Sequence, residues 1–286
     1  MFNKKVDKIK CPICNSDDIK VALKLESPLG GLWDIYACGV CVTQFIHPIP
    51  SSEVLHQFYN QSYHENIERR KRLTNPAYGR MTYRRQWAII KGLLNRRHGK
   101  VLDFGCGGGH FLDNAGAGWE KYGVELSEKA RGAATGKGIK VFTTLEEMAS
   151  DDEFVDVVTM FAAIEHLPNP KEVVRELARV LKRDGLLVIM TGDVKSLKSK
   201  LKGKKWHMYR PPEHVYFFCA QSLDLLMNSL GFRKVKILYT DGGMTHIPSH
   251  PLNILLRAGL MILERIPILK SLALFDHNYS YYKKIS

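Results

Sequence analysis

The chain begins without an apolar run. Residues 1–10 are polar and basic, so they lack the apolar core of a secretory leader. Nor is there a stretch of about 20 uncharged apolar residues of the kind that spans a bilayer. The one long region rich in leucine and isoleucine, 251–275, is interrupted by Arg257, Glu264, Arg265, Pro267 and Lys270. Cysteine is scarce, with six residues in 286. These are expected in a reducing compartment, so the location expected is cytoplasmic. Acid is short as well: 29 Asp and Glu face 42 Lys and Arg, a net charge of +13. The shortage is sharpest between Asp193 and Glu213, where Lys195, Lys198, Lys200, Lys202, Lys204, Lys205 and Arg210 have no acid among them. The apolar, charged and glycine fractions are otherwise ordinary for a globular protein.

One further absence is more telling. The segment V-L-D-F-G-C-G-G-G-H-F-L at 101–112 is rich in glycine, but counted from Gly105 the third glycine of a dinucleotide fingerprint falls on His110. The G-x-G-x-x-G pattern therefore fails. Val101 and Leu102 read as a buried strand ending at Asp103, and Gly105, Gly107, Gly108 and Gly109 as a turn into a helix at 110–117. A turn that bends sharply and lets a ligand approach the backbone needs residues without Cβ. Twenty residues past Gly105, a second strand at 122–124 ends in Glu125. There a nucleoside-binding sheet grips ribose hydroxyls with a carboxylate. Asp103 would repel a pyrophosphate and attract a cationic amino-acid group. Downstream, Val155–Phe161 is a continuous apolar run fit for a central strand. A helix follows with Val173, Val174, Leu177, Val180 and Leu181 at helical spacing, closed by Asp184-Gly185 before a strand at 186–190.

The D-x-G-x-G-x-G turn, the acid after the second strand and the string E-L-A-R-V-L-K-R-D-G-L-L-V-I at 176–189 resemble the class I S-adenosylmethionine-dependent methyltransferases, over roughly residues 85–240. The resemblance implies an α/β fold with a Rossmann-like, seven-stranded, mostly parallel sheet and helices on both faces. It implies S-adenosylmethionine as cofactor, with Asp103 by its methionine end and Glu125 at its ribose. Gly105, Cys106, Gly107, Leu126, Leu145 and Phe161 complete the implied cofactor set. The triplet Glu165-His166-Leu167 is shared with members that act on small molecules, quinone precursors and sugars.

Four of the six cysteines form two C-x-x-C knuckles, Cys11/Cys14 and Cys38/Cys41, separated by 23 residues. Each knuckle turns two sulfurs toward one point, and two of them complete a tetrahedral site for Zn²⁺. Four thiolates close the shell, so the role expected is structural. Residues 21–25 and 32–36 would be strands of a small ribbon. A redox pair would leave the second knuckle unexplained. Cys106 and Cys219 stand alone and read as small packing residues.

The chain thus divides into a zinc ribbon at 1–50, a helical lid or linker at 51–97, a methyltransferase core at 98–242 and an apolar helix and tail at 243–286. The linker reads as a short helix at 51–60 and a longer one at 65–97, interrupted at Asn75-Pro76. It carries Tyr63, Tyr78 and Tyr83, of which one could reach the methionine carboxylate or the substrate. The core carries a basic insertion at 193–214 that, with the residues after it, resembles the W-…-P-P-x-H-x-x-Y/F-F motif of zinc-ribbon methyltransferases acting on sugars and related metabolites. Glu213 and His214 match a pair that contributes to the catalytic site of the sugar C-methylating members, and Trp206 and Tyr209 would wall the pocket. Those proteins carry a large additional C-terminal domain, and a departure from them is expected there, since this sequence has 286 residues.

A hydroxyl or carbon acceptor needs a base, and a histidine near neutral pKa suits the task. His214, with Glu213 beside it, is preferred. His166 is the second candidate, or else orders its loop, and His110 caps or lines the cofactor site. The expected acceptor is a small molecule, sugar or lipid-linked glycan, anionic if it uses the lysines. The 251–275 helix packs on the core or on a twin subunit in a homodimer, or rests with the lysines on the inner face of a membrane. Two other readings stand beside this one. An RNA methyltransferase could use ribbon and charge, but the ribbon is not strongly basic and no N/D-P-P-Y/F tetrad follows the fourth strand. The other is a non-catalytic binding module that retains the fold, against which stand the intact Asp103, Gly105, Gly107 and Glu125.

Overall fold

The computed structural model describes residues 9–27, 30–55, 76–148, 152–240 and 275–285. Near the N-terminus come β1 (Ile19–Glu26), β2 (Leu32–Cys38) and β3 (Gln44–Ile46). Then follow α1 (Pro76–Leu94), β4 (Gly99–Phe104), α2 (His110–Asp113), β5 (Trp119–Val124), α3 (Glu128–Thr135) and β6 (Lys140–Phe142). The second half holds β7 (Val155–Phe161), α4 (Pro170–Val180), β8 (Leu181–Gly192), α5 (Leu197–Lys202), β9 (Tyr216–Phe217), α6 (Ala220–Asn228), β10 (Phe232–Thr240) and β11 (His277–Lys284).

Seven strands form one sheet in the order β10-β11-β8-β7-β4-β5-β6. The pairs β4–β5, β4–β7, β5–β6 and β7–β8 are parallel, while β11 runs antiparallel to both β10 and β8. The chain runs outward from β4 to β6 and then returns to place β7 on the other side of β4. The crevice beyond the carboxyl ends of β4 and β7 is therefore the topological switch point, where an open α/β sheet binds its ligand.

Period-two alternation of side chains divides the core between the two faces. Leu102, Val158, Met160, Leu187 and Ile189 join one buried cluster, and Val101, Val157, Phe161, Val188 and Met190 join the other. Helix α1 covers the second face. Its Trp87 stacks on Phe111 at 4.9 Å and donates its indole N–H to the Phe111 carbonyl at 3.0 Å. The first face is shared with the N-terminal ribbon, whose Ile35, Phe45 and Ile46 lie in the same cluster as Trp206, Tyr209 and Phe217.

Several sequence expectations shift. The core is not complete at 242, because β11 supplies an interior strand of the sheet from within the segment read as a C-terminal tail. Its Tyr279, Tyr281 and Tyr282 are buried, although its composition, H-N-Y-S-Y-Y-K-K, gives no clean alternation. The helix at 110–117 shrinks to His110–Asp113, with Gly116 in the left-handed region at φ 90°. Helix α4 stops at Val180, because Leu181 is already extended and pairs with Val155. Asp184, read as part of a helix stop, lies inside β8 at φ 62°. Residues 52–55 are helical as expected. The rest of the 51–60 helix, Tyr63 and the apolar stretch 251–274 lie outside the described residues, and Tyr78 is described only as part of α1.

Candidate active site

The turn after β4 is built from main-chain conformations that L side chains rarely adopt. Gly105, Gly107 and Gly109 have φ of 78°, 52° and 72°. At Gly109 a Cβ would also fall 2.3 Å from Ile139 Cδ1, whereas at Gly107 it would meet nothing within 4 Å. Gly109 is thus needed for packing against Ala134 of α3 and Ile139 just before β6, while Gly107 leaves its approach open.

Glu125 closes this turn from β5. Its two carboxylate oxygens accept from Gly107 N at 2.9 Å and Ser127 N at 2.8 Å. A carboxylate has about four lone-pair positions, so both oxygens keep acceptor capacity. Asp103, at the tip of β4, is 3 % exposed and accepts from Thr159 Oγ1 at 2.6 Å. Burial, aided by the Glu125 charge and opposed by the Thr159 hydrogen bond, pushes its carboxyl up to about 7. Helix α1 brings Tyr83 toward the same group, and burial together with the Asp103 charge pushes that phenol up to about 12.

The other members of the predicted cofactor set are more scattered. Cys106 tucks its sulfur against Gly123 of β5, where a Cβ would lie 2.5 Å from it. Burial and the two acids hold it as a thiol. Phe161 ends β7 and packs edge-on to Phe111 at 4.8 Å and Tyr279 at 5.4 Å. Leu126 is 44 % exposed just past Glu125, and Leu145 is half-buried against the first core cluster. His110 is exposed at the first position of α2.

Beyond β7, Ala162 is left-handed at φ 51°, and the chain then turns through a short 3-10 helix, Ile164–His166. Ala163 lies against the glycine turn, 3.2 Å from where a Gly105 Cβ would be. The next residues meet the insertion. His166 Nδ1 is 2.7 Å from the Glu213 carbonyl, and His214 Nδ1 is 2.6 Å from the Met208 carbonyl. A carbonyl can only accept, so each Nδ1 is the donor in its contact. The rings meet nearly perpendicular at 4.7 Å.

The carboxylate in this group is Glu165 rather than Glu213. One oxygen of Glu165 and one nitrogen of each imidazole lie within 4.8 Å of one another. Glu165 is 1 % exposed and accepts from Thr191 Oγ1 at 2.9 Å. Glu213 points its carboxylate to Arg210 Nε at 3.0 Å, and it is its backbone that meets His166. Trp206 and Tyr209, expected as pocket walls, are both buried, with Tyr209 donating to Gln44 Oε1 at 2.7 Å. Sequence reasoning missed Thr159, Thr191 and the role of Glu165. The signal for Thr159 was a lone hydroxyl inside an apolar strand.

The four knuckle cysteines converge. Their sulfurs lie within 4.8 Å of one another, with Cys11–Cys41 at 3.4 Å and Cys14–Cys38 at 3.5 Å. Tetrahedral thiolates on zinc stand about 3.8 Å apart, so the donor set and its spacing fit such an ion. The two knuckles have the same backbone: Asn15 and Val42 are left-handed at φ 62° and 66°, and their amides donate to the Cys11 and Cys38 carbonyls. Hydrogen bonding between Cys11 and Cys41 lowers Cys41 to about 5 and raises Cys11.

Sheet order, glycine turn and the two acids at the switch point define a class I S-adenosylmethionine-dependent methyltransferase. Residues 78–237 match the family model described as methyltransferase domain, more than half of the chain, and the chain belongs to that family. An uncharacterised protein of Methanocaldococcus jannaschii is 30 % identical over 149 residues, which is 51 % of this chain and 71 % of that protein. A ubiquinone biosynthesis O-methyltransferase of Azoarcus sp. is 39 % identical over 101 residues, 32 % of this chain and only 43 % of the relative's length. Among solved structures, the plantazolicin methyltransferase in complex with SAH superposes with a TM-score of 0.56 at 16 % identity, covering 81 % of this chain and 94 % of that one. A possible histamine N-methyltransferase of Thermotoga maritima gives 0.54 at 18 % identity, covering 82 % of this chain and 100 % of that one. These two likenesses establish the fold.

Proposed function

We propose that the chain transfers the methyl group of S-adenosylmethionine to a hydroxyl or carbon acid of a small-molecule, sugar or lipid-linked glycan acceptor, with His214 as general base. The observation that carries this reading is the pair of imidazoles, His166 and His214, with Nδ1 against the Glu213 and Met208 carbonyls and rings 4.7 Å apart, His166 lying three residues after the Ala163 that packs on the glycine turn. The cofactor supplies an activated sulfonium methyl. What the chain must add is alignment of the acceptor and removal of its proton. In the proposed assignment Asp103 faces the cationic amino end of the cofactor, and Glu125 takes the ribose hydroxyls. His214 Nε2 accepts the acceptor's proton while the Met208 carbonyl, held by Nδ1–H, stabilises the imidazolium. His166 orders the loop through the Glu213 carbonyl and supports the same proton. The lysines of the insertion favour an anionic acceptor. Cys11, Cys14, Cys38 and Cys41 would hold Zn²⁺ as a closed structural shell.

The test is incubation with methyl-labelled S-adenosylmethionine and fractionated cell extract. Label is expected in a small-metabolite or glycolipid fraction and, with His214→Ala, at a rate lower by about 10²–10⁴-fold. Label confined to RNA or protein overturns the acceptor class, and full-rate transfer by His214→Ala overturns the base.

A further inference from the structure

Among the described residues the cysteine ribbon has a four-stranded sheet, and its fourth strand, β9, lies just after the insertion. Strand β9 begins two residues after His214 and pairs antiparallel with β3, Gln44 opposite Phe217 and Phe45 opposite Tyr216. Ile46 N donates to the Val215 carbonyl at 3.1 Å. On the other side of His214, Tyr209 donates to Gln44 Oε1 at 2.7 Å, and Ser27 Oγ donates to the Pro211 carbonyl. Ribbon contacts therefore bracket Glu213-His214 in sequence, with Tyr209 and Pro211 before it and Val215, Tyr216 and Phe217 after it.

Strand β3 in turn depends on the second knuckle. It has three residues and starts three positions after Cys41. Thr43, the residue before it, accepts at its carbonyl from Cys38 N at 3.0 Å, and its hydroxyl lies 3.2 Å from Cys41 Sγ. A strand this short has little stability of its own. The cofactor half is anchored elsewhere: Asp103 to Thr159 of β7, and Glu125 to Gly107 and Ser127.

We infer that the cysteine ribbon is the positioning element of the acceptor half of the site, acting on His214 through β3 and β9 and not on the cofactor half. The inference rests on the reading of His214 as base for its functional meaning, but its structural content can be tested alone. Breaking the thiolate knot, by chelation or by oxidation of the sulfurs, frees the Glu213-His214 loop and leaves S-adenosylmethionine binding in place.

The experiment compares the full chain before and after metal removal with a chelator under reducing conditions. Three readouts are taken: amide exchange by mass spectrometry, the His214 ring resonances assigned by subtraction with His214→Gln, and calorimetric binding of S-adenosylmethionine. The expected result is exchange at least about tenfold faster at 44–46 and 215–217 with 101–112 unchanged, shifted His214 resonances, and an affinity within about twofold of the starting value. A double variant, Ser27→Ala with Gln44→Ala, leaves every cysteine intact and is expected to loosen the same peptides. Unchanged protection at 215–217 in both preparations overturns the inference. So does a parallel loss of cofactor binding, which would make the ribbon a support for the whole fold. Failure of the base reading appears separately, as full-rate methyl transfer by His214→Ala, and leaves the exchange result standing.

Discussion

Asp103 shows how a single residue connects fold to chemistry. Its carboxyl is raised from the usual aspartate range to about 7, chiefly by burial. An acid whose folded-state pKa is raised contributes stability that is present below its unfolded value and is lost as pH rises through the folded value. The window here runs from about pH 4 to about pH 7. Asp103→Asn removes that dependence, so the variant should gain melting temperature relative to the parent, by a few degrees, on going from pH 5 to pH 8 without ligand. A difference in Tm that stays flat across that range would show the group ionised throughout. The placing of both acids beside the glycine turn was legible, as a carboxylate two residues before that turn and another at the next strand's tip. Glu165 was not. Nothing in E-H-L tells which carboxylate reaches the imidazoles, because the choice depends on Arg210 pairing with Glu213 and Thr191 donating to Glu165.

Among the elements, those with a strong apolar period and a clear stop could be read from sequence. Strand β7 occupies the expected residues, and the ribbon strands lie where two short apolar runs placed them. Strand β11 carries no local signal, being rich in Tyr and Lys with no apolar alternation. Its place between β8 and β10 is fixed by pairing on both edges, which no local pattern records. Strand β9 escaped for a similar reason, being two residues long and defined only by its partner β3. Helix α1 is held by one large anchor. Trp87 is 2 % exposed, stacks on Phe111, and lies 5.2 Å from Trp119. Trp87→Ala should cost about 3–5 kcal/mol of stability in denaturant unfolding, and should release the helix that carries Tyr83 toward Asp103. A loss under about 1 kcal/mol would mean α1 is not docked on this face.

At the scale of the whole molecule, the two faces of the large sheet serve different ends. One is covered by α1 and α2, close to the cofactor turn. The other shares a single apolar cluster with the ribbon and the basic insertion, close to the proposed acceptor site. No described helix is long and apolar enough to cross a membrane. In the proposed reading the chain joins a cofactor half to an acceptor half, and that reading depends first on Asp103, Gly105, Gly107 and Glu125. The most direct test is calorimetric titration of S-adenosylmethionine into the purified chain and into Glu125→Ala. Saturable binding at one site per chain is expected, weakened at least about tenfold in the variant, since charge-assisted hydrogen bonds to the ribose would be lost. Absence of binding by the parent chain, or equal affinity in Glu125→Ala, would contradict it.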